Sequence, residues 1–249
     1  MLDVFKMDMY RILRSKMFYV CLLSMNMVAG TMIATGIIPD FATVMGSGTT
    51  DMTSSMMGIG MAFMIIGILF SLFICGEFST GFAKNIFARH ANPVRYLGGK
   101  LLSLTASGTI MILSFALVSM VLLAVTGTGV VLPGGIGGLL TFLIEKIFAC
   151  AVFASVILLV CVVTRKPVVG MLAGVVVASG AIPMVLGIAG NYLGFTWVSG
   201  LLGYTISGLS NAASLVFSGP AFAVVVIGSI AWIAVCTGLS SRAVKLKDV

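Results

Sequence analysis

Charge is scarce in this chain. Only 8% of its 249 residues are Asp, Glu, Lys or Arg, 60% are hydrophobic, and the mean hydropathy is +1.21. A soluble domain carries about a quarter charged residues, so a soluble globular fold is excluded. Histidine occurs once, at His90. That rules out a His-Glu-x-x-His zinc site and a histidine relay inside a membrane. There is no Gly-x-x-x-x-Gly-Lys-Ser/Thr loop to cradle ATP phosphates, and no Ser/His/Asp pattern of a hydrolase. The chain is therefore read as not catalytic by itself. Cys21, Cys75, Cys150, Cys161 and Cys236 fall within or at the ends of apolar blocks, without Cys-x-x-Cys spacing. They read as small buried apolar residues, with neither disulfides nor a metal site indicated. Basic patches interleaved with aromatics are missing too, so the net charge of +7 does not point to nucleic acid. The charges flank apolar blocks and read as topology signals facing anionic lipid.

What is present is a series of long apolar runs. Crossing roughly 30 Å of hydrocarbon takes about 20 residues as a helix. Six runs meet that length: 17–38, 56–76, 101–126, 138–163, 168–189 and 220–239. The first is too long for the core of a typical signal peptide and is read as a retained span. The expected fold is an all-α, polytopic, single membrane domain over 1–249. Residues 1–16 alternate charge and bulk, as in a helix lying in the membrane interface. Residues 39–55 and 127–137 read as outer loops. Residues 190–218 are uncharged, Gly- and Ser-rich, and carry Tyr192, Trp197 and Tyr204. They predict short interfacial or re-entrant helices on the outer side, because Trp and Tyr favour the interface.

The basic residues orient the chain. Lys6, Arg11, Arg14 and Lys16 precede the first run. Lys84, Arg89, Arg95 and Lys100 lie between the second and third. Arg165 and Lys166 separate the fourth and fifth, and Arg242, Lys245 and Lys247 follow the sixth. Those are thirteen of the fourteen, and the six-span arrangement puts all of them on one side. The positive-inside rule then places both termini in the cytoplasm, as expected of a cell-membrane protein.

Residues 77–100 form the longest charged stretch. Read as a helix, Phe78, Phe82, Ile86 and Phe87 share a face, while Lys84, Asn85 and Arg89 fall mostly elsewhere. Ser79 or Thr80 suits its N-cap, and Asn92-Pro93 suits its end. Such a helix lies on lipid or docks into a partner. Glu77 reads as structural, through the helix dipole or a salt bridge within the loop.

The pattern Glu77-x-x-x-Gly81-x-x-Lys84-Asn85, then Pro93-x-Arg95-Tyr96, then Lys100, resembles the cytoplasmic loop of type-2 ABC exporter permeases. The resemblance implies a coupling helix, with Phe82, Lys84, Ile86, Phe87 and Arg89 as its contacts to a separate ATPase. Glu77, Gly81, Pro93 and Arg95 would shape the loop. It further implies two ATPase subunits that carry the ATP and Mg, and two permeases, identical or related. No cofactor would be bound by this chain. The small size and short outer loops resemble bacterial permeases of peptide export and bacteriocin immunity, so peptide-like, amphipathic cargo is expected.

Three features compete with that reading or add to it. Glu145 and Lys146 lie inside the fourth run, where ionisable groups are costly and often functional. They suit a gate or pathway, including that of an ATP-independent, ion-coupled carrier. The alternative is a fourth helix that starts late and leaves both at the outer interface, or pairs them with neighbours. Met45, Met52, Met56, Met57, Met61 and Met64 cluster. They suit ordinary packing or an adaptable surface for greasy cargo better than Cu(I). Gly170-x-x-x-Gly174 permits close helix packing but is a weak signal among thirty glycines. Pro183 is expected to kink the fifth span.

Overall fold

A computed structural model describes residues 2–37, 59–79, 93–126, 135–193, 205, 208 and 219–246. Among these residues the chain is all-helical, with no strand. The helices are α1 (Leu2–Arg14), α2 (Lys16–Ile37), α3 (Ile59–Ser79), α4 (Pro93–Val125), α5 (Gly135–Thr164), α6 (Pro167–Ala178), α7 (Ala181–Leu193) and α8 (Gly219–Leu246). Four of them (α2, α4, α5 and α8) are long and apolar enough to cross a membrane, or five spans if the bent pair α6–α7 is one. Within α3, Ala62–Glu77 forms a shorter apolar stretch. The predicted ATPase-coupling residues Phe82, Lys84, Ile86, Phe87 and Arg89 and the loop residue Gly81 lie outside the described residues. So do Met45, Met52, Met56 and Met57, and most of 190–218.

The most buried of the spans is α5, which packs against α3, α4, α6 and α8. Phe153, Ile157 and Cys161 on α5 are buried in the same core as Phe63, Ile66 and Phe70 of α3. The outward faces of α2, α4 and α8 present Leu23, Leu117 and Ile230. Exposed aliphatic rows of this kind suit a hydrocarbon solvent.

The crossing of α3 and α6 is built on small residues. A Cβ added at Gly174 would lie 3.2 Å from the Gly67 Cα, and one added at Gly170 would lie 2.6 Å from the Cys161 Sγ and collide with the Ser71 hydroxyl. Ser71 donates to the Pro167 carbonyl at 2.9 Å. The Gly170/Gly174 pair thus meets Gly67 and Ser71, a small-residue seam on both helices.

Three boundaries differ from the sequence reading. The fifth span is two helices meeting at 58°. The break is at Ser179–Gly180, not at Pro183: Gly180 takes φ +69°, the left-handed conformation that ends helices. Pro183 falls in the first turn of α7, where its missing N–H costs nothing. Secondly, α4 starts at Pro93, eight residues before the predicted 101. Proline is well suited to the first helical position, so Asn92-Pro93 marks a start. Its 33 residues span about 50 Å, well beyond a hydrocarbon core. Thirdly, α5 starts at Gly135 and not late, so Glu145 and Lys146 lie about 15 Å along it.

Candidate functional site

Three helices each bring polar groups to one point, because each interrupts an apolar face at helical spacing. On α1, Val4, Asp8 and Ile12 recur at i, i+4 and i+8 and are all buried. On α3, Phe73 and Glu77 stand one turn apart. On α4, Tyr96, Lys100 and Ser103 share a face at i, i+4 and i+7. A short break at Ser15 lets α1 turn into α2. It is closed by the Ser15 N–H donating to the Ile12 carbonyl and the Phe18 N–H to that of Ser15.

Glu77 is the hub. Its carboxylate accepts from the Arg11 Nη1 at 2.8 Å and from the Tyr96 hydroxyl at 2.8 Å, and it pairs with the Lys100 ammonium. Lys100 also reaches the Asp8 carboxylate at 3.4 Å, and the Ser103 hydroxyl stands 3.4 Å from the same oxygen. The Lys100 Nζ lies 4.4 Å from the centre of the Phe73 ring, and the Arg11 guanidinium 5.7 Å from it. Both distances suit a cation–π contact. Glu77 and Lys100 are each 2% exposed.

The charges within the cluster cancel: Asp8 and Glu77 against Arg11 and Lys100. Neutrality is what makes burial tolerable, since an uncompensated buried ion costs several kcal/mol. Glu77 lies in the last turn of α3, where the helix dipole disfavours a carboxylate. Arg11 and Lys100 offset that. Asp8 is the less comfortable acid. Burial pushes its carboxyl above the usual range, and the neighbouring Lys100 ammonium opposes the shift.

The cluster joins α1 to the two helices that flank residues 80–92. Pro93 and Arg95 fall in the first turn of α4. Glu145 and Lys146 form a second polar site. Both are buried in α5, and the Lys146 Nζ lies 5.1 Å from the centre of the Phe142 ring, one turn earlier. A third polar contact joins α2 to α4, where the Asn26 amide donates to the Ser114 hydroxyl at 2.9 Å. Among the described residues, no group of three or more His, Cys, Asp or Glu gathers at one point.

Sequence reasoning singled out Glu77 and Lys100 but not Asp8, Tyr96 or Ser103 as their partners. One signal was available: Asp8 occupies the Val4/Ile12 stripe, where an amphipathic helix keeps its apolar residues. No protein-family model matches the chain, and no curated protein is significantly similar to it.

Proposed function

We propose that the chain is the membrane-spanning subunit of an ATP-driven exporter of the type-2 ABC kind, working with a separate ATPase. The reading rests on the loop pattern from Glu77 to Lys100, and one structural observation supports it. The segment 80–92 hangs between two helices, α3 and α4, whose near ends are locked to each other and to α1 by buried ion pairs. A push delivered to those ends reaches both helices together. In this reading ATP closes a pair of ATPases, and Phe82, Lys84, Ile86, Phe87 and Arg89 pass the motion on. Two permeases, identical or related, enclose the path. Six spans with both termini cytoplasmic, in a bacterial cell membrane, belong to the same proposal. So does amphipathic or hydrophobic peptide cargo, for secretion or self-immunity.

The test is affinity purification of the tagged protein from native membranes in mild detergent. An ATP-binding subunit should accompany wild type and be lost when Phe82, Ile86 and Phe87 are replaced by charged residues. Full assembly and transport in that variant would refute the assignment.

A second reading is favoured by the burial of Glu145 and Lys146 in α5. Ionisable groups inside a span mark ion pathways, as an ATP-independent carrier or channel requires. Purified protein in vesicles would then move solute down an ion gradient without any ATPase, and Glu145→Gln would abolish the flux. Flux without an ATPase, retained in that variant, would exclude this pathway.

A further inference from the structure

The α1–α2 elbow does more than turn the chain. A half-open cavity of about 310 Å³ lies between it and the last turns of α3. Its lining has two distinct ends. Arg11, Ser15 and Glu77 stand at the elbow and the end of α3, and Leu69 and Leu72 lie about one to two turns deeper along α3. Leu69 and Glu77 are eight residues apart on one helix, so the lining changes from charged to aliphatic over about 12 Å.

The elbow's depth in the bilayer is marked by its other side chains. Tyr10 and Tyr19 are 62% and 58% exposed on either side of it, beside exposed Leu13 and Met17. Exposed tyrosines flanked by aliphatic and basic residues mark the headgroup level. The polar end of the cavity therefore stands at the headgroups and the apolar end runs into the hydrocarbon.

Charge then selects the occupant. Glu77 is buried and paired with Arg11 and Lys100, and those two cations balance it and Asp8. Arg14 and Lys16 flank the elbow, both exposed. The Arg11 side chain is itself 40% exposed. The elbow around the mouth is thus net positive, and Arg11 in the lining offers a planar guanidinium suited to phosphate. A small anion would fill only the polar end, and a neutral hydrocarbon only the apolar one.

We propose that this cavity binds an anionic phospholipid of the leaflet that faces the chain's basic residues, its phosphate at Arg11 and Ser15 and one acyl chain along Leu69 and Leu72. The lipid would clasp α1 to α3 in parallel with the Arg11–Glu77 pair. The inference does not depend on which transport reading holds, since it uses neither residues 80–92 nor Glu145 and Lys146.

The experiment is native mass spectrometry of the purified full-length protein with equimolar phosphatidylglycerol and phosphatidylcholine of identical chains. Both lipids carry the phosphate that meets Arg11, but the choline cation would face Arg14 and Lys16, so the wild type should retain phosphatidylglycerol about tenfold over phosphatidylcholine. Leu72→Trp fills the apolar end and leaves every charge in place. It should lose the selectively retained lipid while unfolding at the wild-type temperature. Arg11→Gln removes a contact that both phosphates make and should lower retention of each lipid about tenfold. Glycerol phosphate, which has the headgroup but no chain, should not displace the bound lipid. Equal retention of the two lipids by wild type, or undiminished selectivity in Leu72→Trp, overturns the proposal. So does displacement by glycerol phosphate, which would mark a plain anion site. Should Arg11→Gln not survive purification, the comparison of wild type with Leu72→Trp decides alone.

Discussion

Replacing Glu77 by Gln keeps the side chain's shape and removes its charge. The cluster then goes from neutral to one net positive charge, and buried Lys100 is left with Asp8, 3.4 Å away, as its acidic partner. Removing one partner of a buried pair costs about 3–5 kcal/mol, a drop of roughly two to nearly four orders of magnitude in the folding equilibrium. Most of that belongs to Lys100. The Arg11 side chain is 40% exposed, so water screens its share. A compensating change separates charge from shape. Glu77→Gln with Lys100→Met returns the cluster to neutrality, with Asp8 against Arg11. The two changes should therefore be far from additive, with a coupling of about 2–3 kcal/mol in a double-mutant cycle. Unfolding of the purified protein in mixed micelles, titrated with SDS and followed by tryptophan fluorescence, measures all four corners. A cost for Glu77→Gln under about 1 kcal/mol, or additivity within about 0.5 kcal/mol, would show that the cluster is not an energetically coupled unit.

The α3–α6 seam has no room for a side chain at Gly170, so Gly170→Leu should cost at least about 1–3 kcal/mol by overpacking; a variant as stable as wild type in the same titration would contradict the seam. Asn26→Leu should be mild, about 0.6 kcal/mol and not above about 1.7, because hydrogen bonds between spans are weak on average; a loss above that range would give Asn26 a larger role. Asp8 should make stability pH-dependent. Its raised folded-state pKa means that the stability it contributes is complete below the ordinary value of 3.8 and is lost as pH rises through the folded value. Thermal unfolding should show wild type gaining on Asp8→Asn as pH falls from about 7 towards about 4, and identical pH profiles would rule the effect out. Arg165 holds φ +55° at the tight turn between α5 and α6. Arg165→Gly should therefore raise stability by about 1 kcal/mol, and a lowered transition temperature would show that its side chain contributes more than its backbone costs.

Much of the fold was legible because hydrophobic runs near 20 residues report span length directly. The bounds of α2 follow the predicted 17–38 to within one residue, and those of α8 contain the predicted 220–239. Boundaries were less legible where one residue type serves two purposes. Pro93 ends one helix or begins another by the same loss of a donor, and only the chain that follows distinguishes them. Gly180 rather than Pro183 breaks the α6–α7 pair, since a proline in a first turn breaks nothing. Gly170 and Gly174 looked like chance among thirty glycines. Their meaning depends on Gly67 and Ser71, about a hundred residues away.

The sequence by itself determined that this is a helical membrane protein with its basic residues concentrated in a few segments. Those properties are sums over local composition, and bilayer thickness reads them one span at a time. Only the tertiary structure decided how the charges are spent. Read alone, Asp8 is a residue of an interfacial helix, and Glu77 and Lys100 are residues at the ends of spans, each able to face water or lipid. Folding buries the three together and makes them neutral in combination with Arg11, because in a low-dielectric interior an ion persists only beside its opposite. That pairing runs across 66 residues from Arg11 to Glu77. No local pattern specifies it, and it sets the geometry at the base of residues 80–92.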